Sequence, residues 1–423
     1  MLSILFGLFG LAVLVGIAWL FSAQKSAVDW KLVTTGIGLQ LVFAVLVLLT
    51  PWGATVFGWL SEGFVALLGF TAEGSRFIFG DFTDPTKFGF VFAFQVLPTI
   101  IFFAAFMSVL YHLGVMQWIV KGMAWVITKV MNVSGAETLS VCANAFIGQT
   151  EAPLVVKPYI LRMTKSELLA LMVGGMATIA GGVLGAYVQM LGGADPEQQK
   201  FFAKHLITAS IMAAPATLVI AKILYPETEQ PLTRGEVRME VEKTTANVID
   251  AAASGAGEGL KLALNVGAML LAFIALIALV NAPLTWLGDV TGLAELLGKP
   301  TNLANLLGFV LAPLAWVIGV PWGDAVAVGG LIGEKVVLNE FVAYAHLGEI
   351  KATLSPQAAL ISTYALCGFA NFSSIAIQIG GIGGIAPERR TDLARFGLKA
   401  VLGGSLATFM TATIAGVLSQ FAG

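Results

Sequence analysis

Charge is scarce in this chain. Asp, Glu, Lys and Arg make up 11% of its 423 residues, less than half the roughly 25% of soluble domains, whereas 57% are hydrophobic. A water-soluble fold of this size cannot absorb so much apolar surface, so a soluble enzyme is excluded. Disorder is excluded too, because disordered chains are polar and charged. A net charge of −2 supplies no basic field for nucleic acid. Cysteine is nearly absent: Cys142 and Cys367 both lie in apolar surroundings, and no disulfide framework or zinc cluster follows. His112, His205 and His346 are scattered. No HExxH, no GxSxG and no His pair at i, i+4 supports an intramembrane enzyme. What remains is an all-α polytopic membrane protein.

A spanning helix needs about 20 apolar residues. Stretches free of charge run over 1–24, 32–61, 88–120, 168–194, 205–221, 262–288, 300–323, 352–387 and 400–423. Prolines 300, 313 and 321 interrupt the seventh of these, which leaves eight transmembrane helices. The first is read as a span, not a cleaved signal, since it lacks a basic n-region. Residues 115–163 and 300–347 are apolar but carry Lys121, Lys129, Glu137, Glu151, Lys157, Asp324, Glu334, Lys335 and Glu340. Broken segments at membrane depth are tolerated only inside protein or along a water-filled cavity. Both therefore read as re-entrant helical hairpins. The region 52–87, rich in Trp and Phe, reads as an amphipathic helix near the outer interface. The charged stretch 226–258 reads as a cytoplasmic connector entering a long helix that becomes the span 262–283.

With the N-terminus outside, 16 of the 23 basic residues, Arg238 and Lys243 among them, fall on one side and seven on the other. By the positive-inside rule the richer side is cytoplasmic and both termini face out. The first hairpin then enters from the cytoplasm and the second from outside.

Two segments align. Ala124-Trp125-Val126-Ile127 precedes Gly135 and Glu151; Ala315-Trp316-Val317-Ile318 precedes Gly323 and Glu340. The separations from Ala to the last Glu are 27 and 25 residues. Each hairpin is followed by a helix start, Thr164 with Glu167 as a capping box and Ser355-Pro356 as an N-cap with proline at N1. Each following helix has a breakable centre, at 177–182 and at 368–374. Opposite entry makes this an inverted repeat, the plan of secondary transporters, with the site where the halves meet. The division expected is 1–113, N-terminal helices; 114–225, hairpin and broken helix of the first half; 226–283, connector and long helix; and 284–423, the second half.

Glu151 and Glu340 sit at hairpin tips. Ionisable groups at membrane depth cost about 2.5–3.5 kcal/mol even on the lenient scale and mark functional sites, and exposed N–H and C=O groups at such tips suit polar ligands and cations. The competing reading is a carboxylate bonded to backbone for packing. Asn371 and Ser374 are three apart on one helical face, with interhelical hydrogen bonding as the plainer alternative. Asn144 and Thr178 offer neutral oxygens, and broken backbone near Ile147 and Ile179 offers carbonyls, as hard cations require. For Thr178 a bond to the i−4 carbonyl competes. The Gly and Ala of 174–186 read as a close-packing face.

GQTEAPL (148–154), NEFVAY (339–344), GFANFSS (368–374) and the ANVIDAAA run from Ala246 resemble the concentrative nucleoside transporter family over essentially the whole chain, in its short bacterial form. The resemblance implies a sodium-coupled symporter that imports uridine-like and related nucleosides across the bacterial inner membrane. It implies a homotrimer in lipid, in which a scaffold of the early helices and 262–283 carries an elevator-type transport domain. Gln149, Thr150 and Glu151 would then bind the base, Glu340, Asn371 and Ser374 the ribose, and Phe369 would wall the pocket. Sodium would lie on Asn144, Ile147, Thr178 and Ile179. Proton coupling through Glu151 or Glu340 is the alternative.

Overall fold

The computed structural model of the protein describes residues 2–236 and 245–421. Arg238 and Lys243, and with them the middle of the expected connector, lie outside the described residues. The regular elements among the described residues are all helices, with a single isolated bridge between Ser134 and Arg234. Eight helices among them are long and apolar enough to cross a membrane.

The first four long helices are α1 (Leu2–Leu20), α2 (Trp30–Leu49), α3 (Pro51–Phe79) and α4 (Leu97–His112). Thr50 caps α3 through the Gly53 N–H, with Pro51 at N1, the residue whose missing N–H needs no partner there. On α3, Trp52, Trp59, Phe70 and Phe77 are exposed, while Phe64 packs on Phe103 of α4 with ring centroids 4.7 Å apart.

The repeat then unfolds twice in the same order. In the first half, α5 (Val115–Met131) is amphipathic. Met116, Val120, Ala124, Ile127 and Met131 are buried on one face, and Lys121 and Lys129 are exposed. Asn132, in the left-handed region at φ 54°, turns the chain into α6 (Gly135–Asn144). The tip 145–151 follows, then a 3₁₀ turn, Ala152–Val156, and the broken helix α7 (Lys165–Ala177) and α8 (Gly181–Gly192). The buried helix α9 (Pro196–Leu224) closes the half.

In the second half, α10 (Val248–Thr291) leads to α11 (Leu303–Val317) and α12 (Trp322–Val337), which meet at a 116° bend. A sharp tip at Leu338 and Asn339 follows, then α13 (Glu340–Ile350), the broken pair α14 (Pro356–Ala365) and α15 (Phe372–Ile385), and finally α16 (Arg390–Leu418).

One expectation needs correction. The hairpins proper begin at Gly135 and Trp322, not at 115 and 300, because α5 and α11 are separate lead-in helices. The break expected at 368–374 is present, between Ala365 and Phe372, so neither half is a long helix by itself, and α3 is among the eight long apolar helices.

Corresponding ties hold the two halves. Ser134, just before α6, donates through its hydroxyl to Glu167 in the first turn of α7. Asp324, in the first turn of α12, accepts from the Ser355 hydroxyl at 2.6 Å, at the start of α14. The expected caps are present. Thr164 accepts from the Glu167 N–H at 3.1 Å while Glu167 accepts from the Thr164 N–H at 2.8 Å, and Ser355 accepts from the Ala358 N–H.

Burial separates core from periphery. Most of α7–α8, α9 and α16 is buried, against 17% of the apolar window of α10. At about 1.5 Å per residue the 44 residues of α10 run roughly 66 Å, twice the hydrocarbon thickness. Its Gly255 and Gly259 lie against the α4 backbone near Ala104 and Ile101. Under the first hairpin, Lys222 of α9 pairs with Glu137 at 2.8 Å and Glu227 at 3.3 Å and donates to Ser166 at 3.0 Å.

Candidate functional site

The two helix breaks cross each other. After Ala177 the chain leaves helical geometry at Thr178 (φ −129°, ψ 167°) and resumes it at Gly181. The second break runs from Leu366 to Asn371. The Phe369 N–H donates to the Thr178 carbonyl at 3.3 Å. A Cβ built on Gly368 would stand 2.7 Å from the Met176 carbonyl oxygen, so only glycine lets the breaks approach this closely.

Each hairpin delivers its tip to this crossing. Asn339 caps α13 by accepting from the Val342 N–H at 2.9 Å, which sets Glu340 in the first turn, buried at 3% exposure. One carboxylate oxygen accepts from the Tyr187 hydroxyl at 3.0 Å and the other from the Asn371 Nδ2 at 3.0 Å. A carboxylate offers about four lone-pair sites, so two remain for a ligand's O–H groups. Asn371 is the N-cap of α15: its Oδ1 accepts from the Ser374 N–H at 2.9 Å. Asn371 and Ser374 are therefore cap and third residue, not two interior positions on one face.

Ser374 continues the chain of bonds into the first half. It accepts from Gln149 Nε2 at 3.2 Å, and Gln149 Oε1 accepts from Gln378 Nε2 at 3.1 Å. Gln378 is itself held by the Met172 carbonyl at 3.0 Å. The fixed Gln149 amide retains one N–H and one lone pair, the complement of an amide-like base edge. Thr150 donates to Glu151 Oε1 at 3.2 Å, and Glu151 is exposed. Phe369 is half-buried beside the crossing.

The residues expected to hold an ion lie on the first tip and the first break, which are in contact. Asn144 ends α6, is 1% exposed and donates to the Ser140 carbonyl, but its Oδ1 is buried without a partner. Such an orphaned acceptor is uncommon and fits a cation. Thr178 Oγ1 commits its proton to the Gly174 carbonyl at 2.9 Å, which leaves its lone pairs free. The carbonyls of Ile147 and Ile179 receive no backbone hydrogen bond among the described residues. The tip is pinned to the break by the Gly181 N–H donating to the Phe146 carbonyl at 2.9 Å. Among the described residues no cluster of His, Cys, Asp and Glu could hold a transition metal.

Tyr187 and Gln378 were not singled out in the sequence. Gln378 had a signal, lying four residues beyond Ser374 and seven beyond Asn371 on the same face. Tyr187 had none beyond its place in a Gly- and Ala-rich helix. Its ring stacks on Tyr344 at 4.4 Å and tilts against Phe341 at 4.8 Å, contacts that only the tertiary fold creates.

Residues 205–416 match the family model "Na+ dependent nucleoside transporter C-terminus", residues 9–82 the corresponding N-terminus model, and residues 93–194 a "Nucleoside recognition" model. The chain is similar to an uncharacterized transporter, YutK, of Bacillus subtilis, with 46% identity over 98% of this chain and 100% of that one. It is similar to sodium/nucleoside cotransporter 1 of Mus musculus, with 41% identity over 97% of this chain and 63% of the mouse protein. It is also similar to the solved structure of CNTnw in an inward-facing substrate-bound state, with 44% identity, a TM-score of 0.90, and coverage of 99% of this chain and 100% of that one.

Proposed function

The chain belongs to the Na+ dependent nucleoside transporter family, a family of multi-pass membrane transporters and not of enzymes, and from that premise we propose that it is a sodium-coupled symporter importing nucleosides. The observation that carries the reading is the hydrogen-bonded chain from Glu340 through Asn371 and Ser374 to Gln149, laid across two helix breaks. It offers acceptors for ribose hydroxyls at one end and an amide for a base at the other. Glu151 and Thr150 complete the base end, and Phe369 walls it.

Sodium is a co-transported substrate on Asn144, Ile147, Thr178 and Ile179. The unpartnered Asn144 Oδ1 supports this. Neutral oxygens without a direct carboxylate suit a monovalent ion better than calcium, which usually takes carboxylates. The hairpins are re-entrant, and with the broken helices they form a transport domain that moves as an elevator against a scaffold of α1–α4 and α10. The sparsely buried face of α10 fits contact with lipid and with sister protomers of a homotrimer. The protein lies in the bacterial inner membrane with both termini outside, and α3 lies at the outer interface.

Sodium completing the first tip must raise nucleoside affinity, and by linkage nucleoside tightens sodium by the same factor. Asn144→Ala and Thr178→Ala should each move the sodium dependence of uridine binding about ten-fold upward, roughly 1.4 kcal/mol, with recovery in high sodium. Titrations of uridine binding against sodium at fixed ionic strength measure this. An unmoved sodium dependence in both variants would remove these residues from the ion site.

Glu151→Gln should lower uptake about ten-fold, since the amide turns a donor toward a base N–H. Its melting temperature should stay at the wild-type value, because the side chain is exposed. Wild-type uptake by this variant would return Glu151 to a tip-packing role.

A further inference from the structure

Lys335 is fully buried, and among the described residues it pairs with no carboxylate. A charge buried without a counter-ion is destabilising unless fixed dipoles compensate it. The nearest compensation comes from three groups, with the Glu340 carboxylate acting from further away. Nζ donates to the Ala365 carbonyl at 2.8 Å and to Thr408 Oγ1 at 3.1 Å, and stands 5.8 Å over the Phe409 ring. Ala365 is the last residue of α14, the half-helix that ends at the second break. Helix C-termini concentrate carbonyl charge and favour cations.

The repeat gives this position a counterpart. Ala124 and Ala315, and Thr164 and Ser355, are each 191 positions apart, while the tip residues Glu151 and Glu340 are 189 apart, so Asn144 and Lys335 match by their place in the arm and not by one aligned position. Asn144 ends the first arm of hairpin 1, and Lys335 lies in the last turn of the first arm of hairpin 2. A threonine hydroxyl stands at each place, although on different elements, Thr178 at the first break and Thr408 inside α16. Thr178 gives its proton to the Gly174 carbonyl, and Thr408 gives its own to the Ser405 carbonyl at 2.9 Å. Each therefore presents lone pairs to whatever cation stands beside it.

We infer that Lys335 is a tethered cation standing in the second half where the transported ion stands in the first. The inference rests on the ion site proposed above. Its consequence is an asymmetry between the halves. The second break is neutralised permanently, so Glu340 and Asn371 are in place before any ion arrives. The first break is neutralised only when sodium binds, so the tip bearing Gln149, Thr150 and Glu151 is the ion-dependent part.

The test is uridine binding to the full-length protein in detergent, titrated with sodium chloride against choline chloride. Wild type should show a sodium dependence of about one ion. Lys335→Met fills the volume without the charge and should weaken uridine binding about ten-fold at every sodium concentration. Lys335→Ala vacates the shell of Ala365 and Thr408 and should steepen the sodium dependence toward about two ions. If both Lys335 variants unfold, Thr408→Val, which keeps the shape, should weaken binding about three-fold without changing the sodium slope. Lys335 variants with wild-type affinity and slope, or Thr408→Val with wild-type affinity, would overturn the inference. A shifted sodium dependence in Asn144→Ala alongside them would leave the ion site standing. A sodium-indifferent wild type would overturn the ion site itself, and this inference with it.

Discussion

Glu340→Ala is expected to weaken nucleoside binding about 100-fold, roughly 2.7 kcal/mol, and to erase discrimination between ribo- and deoxynucleosides. The carboxylate receives Tyr187 on one oxygen and Asn371 on the other. Removing it leaves both donors buried without an acceptor, at about 1–3 kcal/mol each. Asn371 also caps α15, so its release loosens the link through Ser374 to Gln149. In the wild type, a missing 2′- or 3′-hydroxyl leaves a buried acceptor site unfilled, and deoxy forms should bind less well. In the variant that penalty has no origin, and the affinities of uridine and its deoxy analogues should converge. Calorimetric titration of each pair measures it. Full discrimination persisting in Glu340→Ala would remove Glu340 from the ribose site.

The largest effect on stability is expected far from the ligand. Lys222→Met leaves Glu137, whose side chain is 1% exposed, as a buried charge without its partner, which costs about 3–5 kcal/mol. The melting temperature of the purified protein should fall sharply. The double variant Lys222→Met with Glu137→Gln should recover most of the loss, because no uncompensated charge remains. The same ion cluster ties α6, α7, α9 and Glu227 together, so the single variant should also weaken nucleoside binding. A double variant as unstable as the single one would mean that packing, not charge, holds this region.

What the sequence made legible follows from local rules. The tips carrying Glu151 and Glu340, the glycine-rich breaks and the caps at Thr164 and Ser355 are all set by neighbours within a few residues. The start of each hairpin was less legible. The buried stripe Met116, Val120, Ala124, Ile127 and Met131 is a helix pattern of its own, but it runs into the apolar arm after only a short turn at Asn132. Tyr187, and the partners of Gln378 and Lys335, were legible only in three dimensions. Each of these three residues acts through a partner 30 to 229 positions away, and such pairings are created by the crossing of the halves.

The central claim, that sodium and nucleoside move together through this crossing, is tested most directly by uridine uptake into proteoliposomes containing the purified protein. Concentrative uptake is expected when an inward sodium gradient is imposed, and none when choline replaces sodium at the same pH. Uptake indifferent to sodium but driven by an inward proton gradient would contradict the account and assign the coupling to Glu151 or Glu340.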